Sequence, residues 1–155
     1  MKLKLAILSV AIIVIDQLTK YYFQINLALH DSIPVIKDFF YLTYAKNTGA
    51  GWSMFSGHTE ILAFISLAMA GCFIYLYIKE AKENHLQLWC YSLLIAGALG
   101  NLIDRLYLGY VRDFLDFYLF GYDFPIFNVA DIAVTFGAFI LIYIFVKEEY
   151  GTWKK

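Results

Sequence analysis

Four stretches of almost unbroken apolar residues divide the chain: about Leu5 to Phe23, Ile61 to Ile78, Leu86 to Leu102 and Ile126 to Val146. Crossing the hydrocarbon of a bilayer takes about 20 apolar residues of helix. Runs this long and this rich in Leu, Ile and Ala exceed a barrel strand, so they predict four transmembrane helices packed as a bundle. Two long connections, 24–60 and 103–125, lie on one side of that bundle and are strongly aromatic. In the first, Pro34-Val-Ile-Lys-Asp-Phe-Phe-Tyr-Leu-Thr-Tyr mixes β-branched and aromatic residues ahead of the turn-forming Asn47-Thr-Gly-Ala-Gly, which predicts a small sheet. The second, from Tyr107 to Phe124, has the aromatic density of a segment at headgroup depth. Together they suggest a platform on the outer membrane surface. With no repeat or long linker, residues 1–155 read as a single domain.

Composition strengthens the membrane reading. Hydrophobic residues make up 61% of the 155 positions and charged residues 16%, where soluble domains hold about 45–50% and about 25%. Twelve basic groups against thirteen acidic ones leave no cationic surplus for a nucleic acid partner. Cys72 and Cys90 sit apart in apolar runs, which fits packing residues rather than a zinc site or a disulfide. Lys2 and Lys4 before an apolar run resemble the start of a signal peptide, but Asp16-Gln-Leu-Thr-Lys stands where a small-residue cleavage site would be needed, so the first helix is expected to be retained. The side holding both termini and the 79–85 connection carries seven basic residues (Lys2, Lys4, Lys79, Lys82, Lys147, Lys154, Lys155), and the other carries five (Lys20, Lys37, Lys46, Arg105, Arg112). This bias places both termini in the cytoplasm.

Polar residues next to hydrocarbon need a reason, because a charge at the bilayer centre costs at least about 2.5–3.5 kcal/mol. Asp16, Asn101, Asp104, Arg105, Asp113, Asp116, Asn128 and Asp131 all fall at one depth, on the side of the two long connections. Simple explanations exist for each. Asn128 and Asp131 have the spacing of an N-cap and a first-turn acid, Asp113 and Asp116 could be solvated loop acids, Asp104 reads as the local charge partner of Arg105, and Lys20 as an interfacial residue whose amine reaches water. Asn101 and Arg105, four apart, share a helix face. Two of the carboxylates brought together would share a proton, since like charges in low dielectric cannot both ionise cheaply. That is the arrangement of an aspartic protease, in which one Asp draws a proton from water and its protonated partner polarises the scissile carbonyl.

These residues fall in five ordered motifs: Asp16-Gln-Leu-Thr-Lys, Asn47-Thr-Gly-Ala, Gly100-Asn-Leu-Ile-Asp-Arg, Val111-Arg-Asp-Phe-Leu-Asp-Phe and Phe127-Asn-Val-Ala-Asp. In this the chain resembles the lipoprotein signal peptidases (signal peptidase II), bacterial membrane aspartic peptidases, over nearly its whole length. The second motif continues Gly51-Trp-Ser here, where the family pattern continues Ala-Phe-Ser. The resemblance implies an all-α membrane protein with four transmembrane helices, an extracytoplasmic β-cradle and an interfacial aromatic loop. It implies Asp113 and Asp131 as the catalytic pair, Asp16, Asn47, Asn101, Arg105 and Asn128 as supporting or substrate-binding residues, and no metal or cofactor. The implied reaction is cleavage of a prolipoprotein just before its diacylglyceryl-modified cysteine, by a monomer in the bacterial cytoplasmic membrane with its active site on the extracytoplasmic face, in contact with membrane lipids.

Two other classes fit the residues taken alone. A membrane lipid transferase could use Asp104, Asp113, Asp116 and Asp131 as hard oxygen ligands for Mg²⁺. A proton-coupled transporter would also place acids in a bundle, but it needs a polar path across, and the acids here stop at one leaflet.

Overall fold

The computed structural model describes residues 1–50, 54–79 and 85–152. Gly51 and Trp52, where the second motif departs from the family pattern, lie outside them, as do Lys82, Lys154 and Lys155 of the charge comparison. Four long helices carry the fold: α1 (Lys2–Asn26), α2 (Thr59–Lys79), α3 (His85–Leu108) and α4 (Val129–Thr152). Among the described residues α2, α3 and α4 are long and apolar enough to cross a membrane. Of these, α3 has 61% of its membrane-length stretch buried inside the protein, against 17% for α2 and 22% for α4, so it is the central helix on which the others pack.

The first helix has its polarity inside out. Leu3, Ile7, Val10, Val14 and Leu18 are exposed, while the buried stripe holds Leu5, Ser9, Asp16, Lys20 and Phe23. In water that distribution would leave the apolar face unsolvated; against lipid it costs nothing. Close packing of α3 on its neighbours depends on small residues. A Cβ on Gly100 would lie 2.8 Å from Asp16 Oδ2 and 2.9 Å from Ala130 Cβ, so only glycine lets α1, α3 and α4 meet at this level.

The third helix runs to Leu108, six residues beyond its apolar stretch, because its terminal charges are satisfied inside the protein rather than ending the helix. The fourth starts at Val129, three residues later than the apolar pattern, because Phe127 is still bridged to a strand and Asn128 caps the helix.

Four antiparallel strands, β1 (Ser32–Ile36), β2 (Phe40–Asn47), β3 (Val111–Leu119) and β4 (Tyr122–Asp123), form one sheet in that order. The aromatic density of 103–125 suggests a segment along the interface; it contributes β3 and β4, so the sheet joins both long connections. Residues Val111 to Phe114 are buried on both faces, which explains why β3 lacks the alternation of a half-exposed strand. Phe120 and Gly121, both at positive φ, close the β3–β4 hairpin as a tight turn. Phe23 of α1 stacks on Phe114 of β3 at 4.6 Å and fastens the sheet to the helices.

Candidate active site

A register shift between β2 and β3 brings the first two site residues together. Phe40, Tyr41 and Leu42 pair with Phe117, Asp116 and Leu115, but Ala45 pairs with Asp113 and Asn47 with Val111. Thr43 and Tyr44 therefore oppose Phe114 alone, a β-bulge with one extra residue on β2. Side chains alternate with period two, so the extra residue turns every later β2 side chain to the other face. Asn47 thus shares the face of Asp113, and its Nδ2 donates to Asp113 Oδ2 at 3.0 Å.

The start of α4 supplies the rest. Phe127 and Leu115 exchange backbone hydrogen bonds of 2.8 and 3.0 Å, which folds the chain back along β3 and leaves Asn128 beside Asp113. Asn128 Nδ2 donates to Asp113 Oδ1 at 2.6 Å, while its Oδ1 accepts the Asp131 N–H at 3.0 Å and its own N–H donates to Asp131 Oδ2 at 3.2 Å. The last two bonds form a reciprocal capping box. The capping explanation therefore holds for Asn128 and Asp131, and the same Asn128 side chain also reaches Asp113. Asn101 on α3 completes the net: its Nδ2 donates to Asp131 Oδ1 at 2.7 Å, and its Oδ1 accepts from Asn128 Nδ2 at 3.1 Å and from Lys20 Nζ at 2.9 Å.

Asp113 and Asp131 are thus linked through Asn128 and face one cleft of about 1080 Å³, also lined by Asn47, Asn101, Arg105 and Phe136. Asp113 is 2% exposed. Burial, and then the neighbouring Asp131 charge, push its carboxyl up to about 7, against the pull of the Asn47 and Asn128 amides. A carboxyl that keeps its proton to neutral pH can donate to a substrate carbonyl.

Asp16 does not touch the pair. Its Oδ1 accepts the Ala130 N–H at 2.8 Å, so an acid from α1 holds the first turn of α4 in place. Arg105 also stands one step away, donating to Gly49 O at 3.1 Å and to Ser66 Oγ at 3.4 Å, and lines the cleft. In doing so it ties the loop after Asn47 to α3 and α2.

Three simple expectations are corrected by the geometry. Lys20 does not reach for water: it is fully buried, 2.8 Å from Asp16 Oδ2 and 3.8 Å from Asp104 Oδ2. Asp104 does not pair with Arg105, because it points away from it toward β3 and takes Arg112 in a two-pronged grip, Nη2 at 2.6 Å and Nε at 3.1 Å. Nor is Asp116 a solvated loop acid. It is a strand residue, 4% exposed, whose Oδ2 accepts from Thr43 Oγ1 at 2.5 Å. Arg112 also holds Gln17 and Gln24 of α1 at 2.9 Å. Its place inside the fourth motif was the one signal of that role.

The profile of the family described as signal peptidase (SPase) II matches residues 8–147. The chain belongs to the signal peptidase II family. It is 42% identical over 135 residues to a lipoprotein signal peptidase of Staphylococcus carnosus (strain TM300), spanning 87% of this chain and 85% of that one. It is 44% identical over 142 residues to that of Staphylococcus haemolyticus (strain JCSC1435), spanning 92% and 90%. A bacterial membrane enzyme solved by the in meso method at 2.3 Å resolution superposes with a TM-score of 0.87 at 40% identity, over 93% of this chain and 88% of that one. Membership makes the chain a multi-pass membrane peptidase, a hydrolase of peptide bonds.

Proposed function

We propose that the chain is an aspartic endopeptidase that removes signal peptides from prolipoproteins by cutting before the diacylglyceryl-modified cysteine, with Asp113 and Asp131 as its catalytic pair. The observation that carries this reading is the amide net in which Asn128 touches both carboxylates in one cleft. With Asp113 tending to hold the proton, Asp131 is the base. It takes a proton from a water molecule as the water oxygen attacks the scissile carbonyl, and Asp113 donates to the developing oxyanion. Collapse of the tetrahedral intermediate breaks the C–N bond, and the amine leaves with a proton from the pair. Asn47, Asn101 and Asn128 hold the carboxylates without neutralising them. The mechanism requires no metal or cofactor.

The wall of the cleft supports a lipidated substrate. Ile132 and Phe136 of α4 line it and are themselves exposed apolar side chains of a membrane-length helix, so a peptide can lie against the acids while its acyl chains stay in the bilayer. Lipid binding energy then positions a distant bond. The apolar exposed face of α1 supports a fourth membrane helix. The reading includes one domain over 1–155, a monomer, both termini in the cytoplasm of a bacterial cell and the sheet as an extracytoplasmic cradle. A Mg²⁺-dependent lipid transferase would need Asp104 and Asp116 beside the pair, whereas Arg112 and Thr43 hold them.

Purified protein incubated with a lipidated prolipoprotein should release a product whose new amino terminus is the modified cysteine, with EDTA present or absent. The same precursor without its diacylglyceryl group should turn over at least about a hundredfold more slowly, since remote binding energy is lost from the transition state. Equal turnover of the two, or inactivation by EDTA, counts against the proposal. For orientation, a Cys in place of Asp123 should react with an impermeant thiol reagent from outside, and one in place of Lys2 only after permeabilisation.

A further inference from the structure

Serine and threonine hydroxyls on the long helices find partners inside the protein, and one departs from that rule. Ser9, Thr19, Ser66 and Ser92 each donate to the backbone carbonyl four residues earlier, at 3.2, 2.8, 2.9 and 2.7 Å. Thr59, at the start of α2, donates to Thr48 O at 3.2 Å. Such bonds are how a hydroxyl is accommodated beside hydrocarbon, where an unpaired polar group costs free energy. Thr135 lies inside the span Val129–Glu149 and makes no hydrogen bond among the described residues. It is exposed, and it lines the cleft together with Asp131, Ile132 and Phe136.

Thr135 follows Asp131 by four positions, on the same face of α4 and about 6 Å further along its axis. Since α4 starts at the sheet and runs into the span, Thr135 is the deeper of the two. A peptide bond is open to attack only where the chain is unwound, and the signal peptide continues from that bond into the bilayer. Its extended backbone there carries carbonyls that no helix satisfies. Two residues of extended chain span about 6.6 Å, close to the step from Asp131 to Thr135. The diacylglyceryl group, returning to the bilayer from the cysteine, presents ester carbonyls, which are the same kind of acceptor. We infer that Thr135 is a substrate-binding residue whose hydroxyl donates to a carbonyl oxygen of the lipidated precursor, one helical turn below Asp131. This rests on the reading of Asp113 and Asp131 as the catalytic pair. The bond forms when the precursor fills the cleft and is kept through the reaction, so it acts on binding and not on the chemical step.

The test uses the full-length protein in detergent with a lipidated prolipoprotein. Thr135→Val keeps the shape and β-branching but removes the hydroxyl; Thr135→Ser restores it. Thr135→Val should raise KM by about fivefold with kcat changed less than about twofold, the signature of a hydrogen bond made equally to ground state and transition state. Thr135→Ser should return KM to within about twofold of the parent. Because the hydroxyl bonds nothing within the protein, Thr135→Val should melt no lower than the parent. A second precursor, with an ether-linked dialkylglyceryl cysteine that lacks ester carbonyls, identifies the acceptor. A KM difference between parent and Thr135→Val that persists on it assigns a backbone carbonyl of the signal peptide; one that vanishes only there assigns the ester. Parent KM in Thr135→Val on the ester-linked precursor would overturn the inference. So would a loss confined to kcat, a loss that Thr135→Ser does not recover, or a fall in melting temperature with KM unchanged. Failure of the underlying reading looks different: Asp113→Asn would then still cleave.

Discussion

Two groups of buried acids lie side by side at the sheet end of the helix bundle, and they are neutralised in opposite ways. In one, Asp16 and Asp104 are matched by Lys20 and Arg112, two acids against two cations, all at most 9% exposed at their side chains. In the other, Asp113 and Asp131 are held by hydrogen bonds from the amides of Asn47, Asn101 and Asn128 and from the backbone of the helix start, with no ion pair among the described residues. Amides orient a carboxylate without cancelling its charge. The first group is therefore finished chemically, and its removal costs structure. On the proposed reading the second keeps one proton between two sites, and its removal costs chemistry.

The sharpest way to break that contrast is to neutralise the second group. Asp113→Asn and Asp131→Asn keep size and hydrogen bonding but lose the proton, and each should reduce cleavage by at least about a thousandfold. The double variant should be little worse than either single one, since residues that act as a unit are not additive. Cleavage near the parent rate by either variant, with insertion verified, would return that acid to a cap or a packed strand position.

Breaking the first group should have a different signature. Arg112→Leu leaves Asp104 buried with only Lys20, at 3.8 Å, to offset it, and removing one partner of a buried pair costs about 3–5 kcal/mol. The amount of folded protein and its melting temperature should fall well before turnover per folded molecule does. A variant that folds normally but does not cleave would show that Arg112 takes part in the chemistry and would erase the distinction.

Part of this candidate site is legible in the chain because polar groups at a membrane edge are conspicuous: Asp113, Asp131, Asn101 and Asn128 stand out beside apolar runs, whereas Asn47 reads alone as a turn residue and only the family resemblance singles it out, as it does the pairing of Asp113 with Asp131. The partners are less legible. Lys20 looks like a residue reaching for water, and only the fold reveals that Asp104 comes from another helix to meet it. The β2 bulge is invisible in sequence, since Thr43 and Tyr44 fit a regular strand equally well. Asp116 reads as a loop acid, and its burial follows from its place on β3 opposite Tyr41.

The subtlest prediction concerns what the second group costs the fold. Asp113 titrates near 7 in the folded protein against an ordinary 3.8, so between those values the folded state binds more protons than the unfolded one. Stability from this group is therefore complete below about pH 4 and declines as pH rises toward 7, the sign expected of a carboxyl whose charge is buried beside another. Asp113→Asn removes that dependence. It should melt at about the parent temperature at pH 4 and a few degrees higher at pH 8, a gain of about 1–2 kcal/mol of the kind seen when a functional site gives up its strain. Cleavage by the parent should decline over the same range, with kcat falling as pH rises through about 7 and the proton leaves Asp113. If Asp113→Asn were no more stable at pH 8 than at pH 4 relative to the parent, the amides would be doing for this pair what Lys20 and Arg112 do for the other, and the two groups would differ only in which residues surround them.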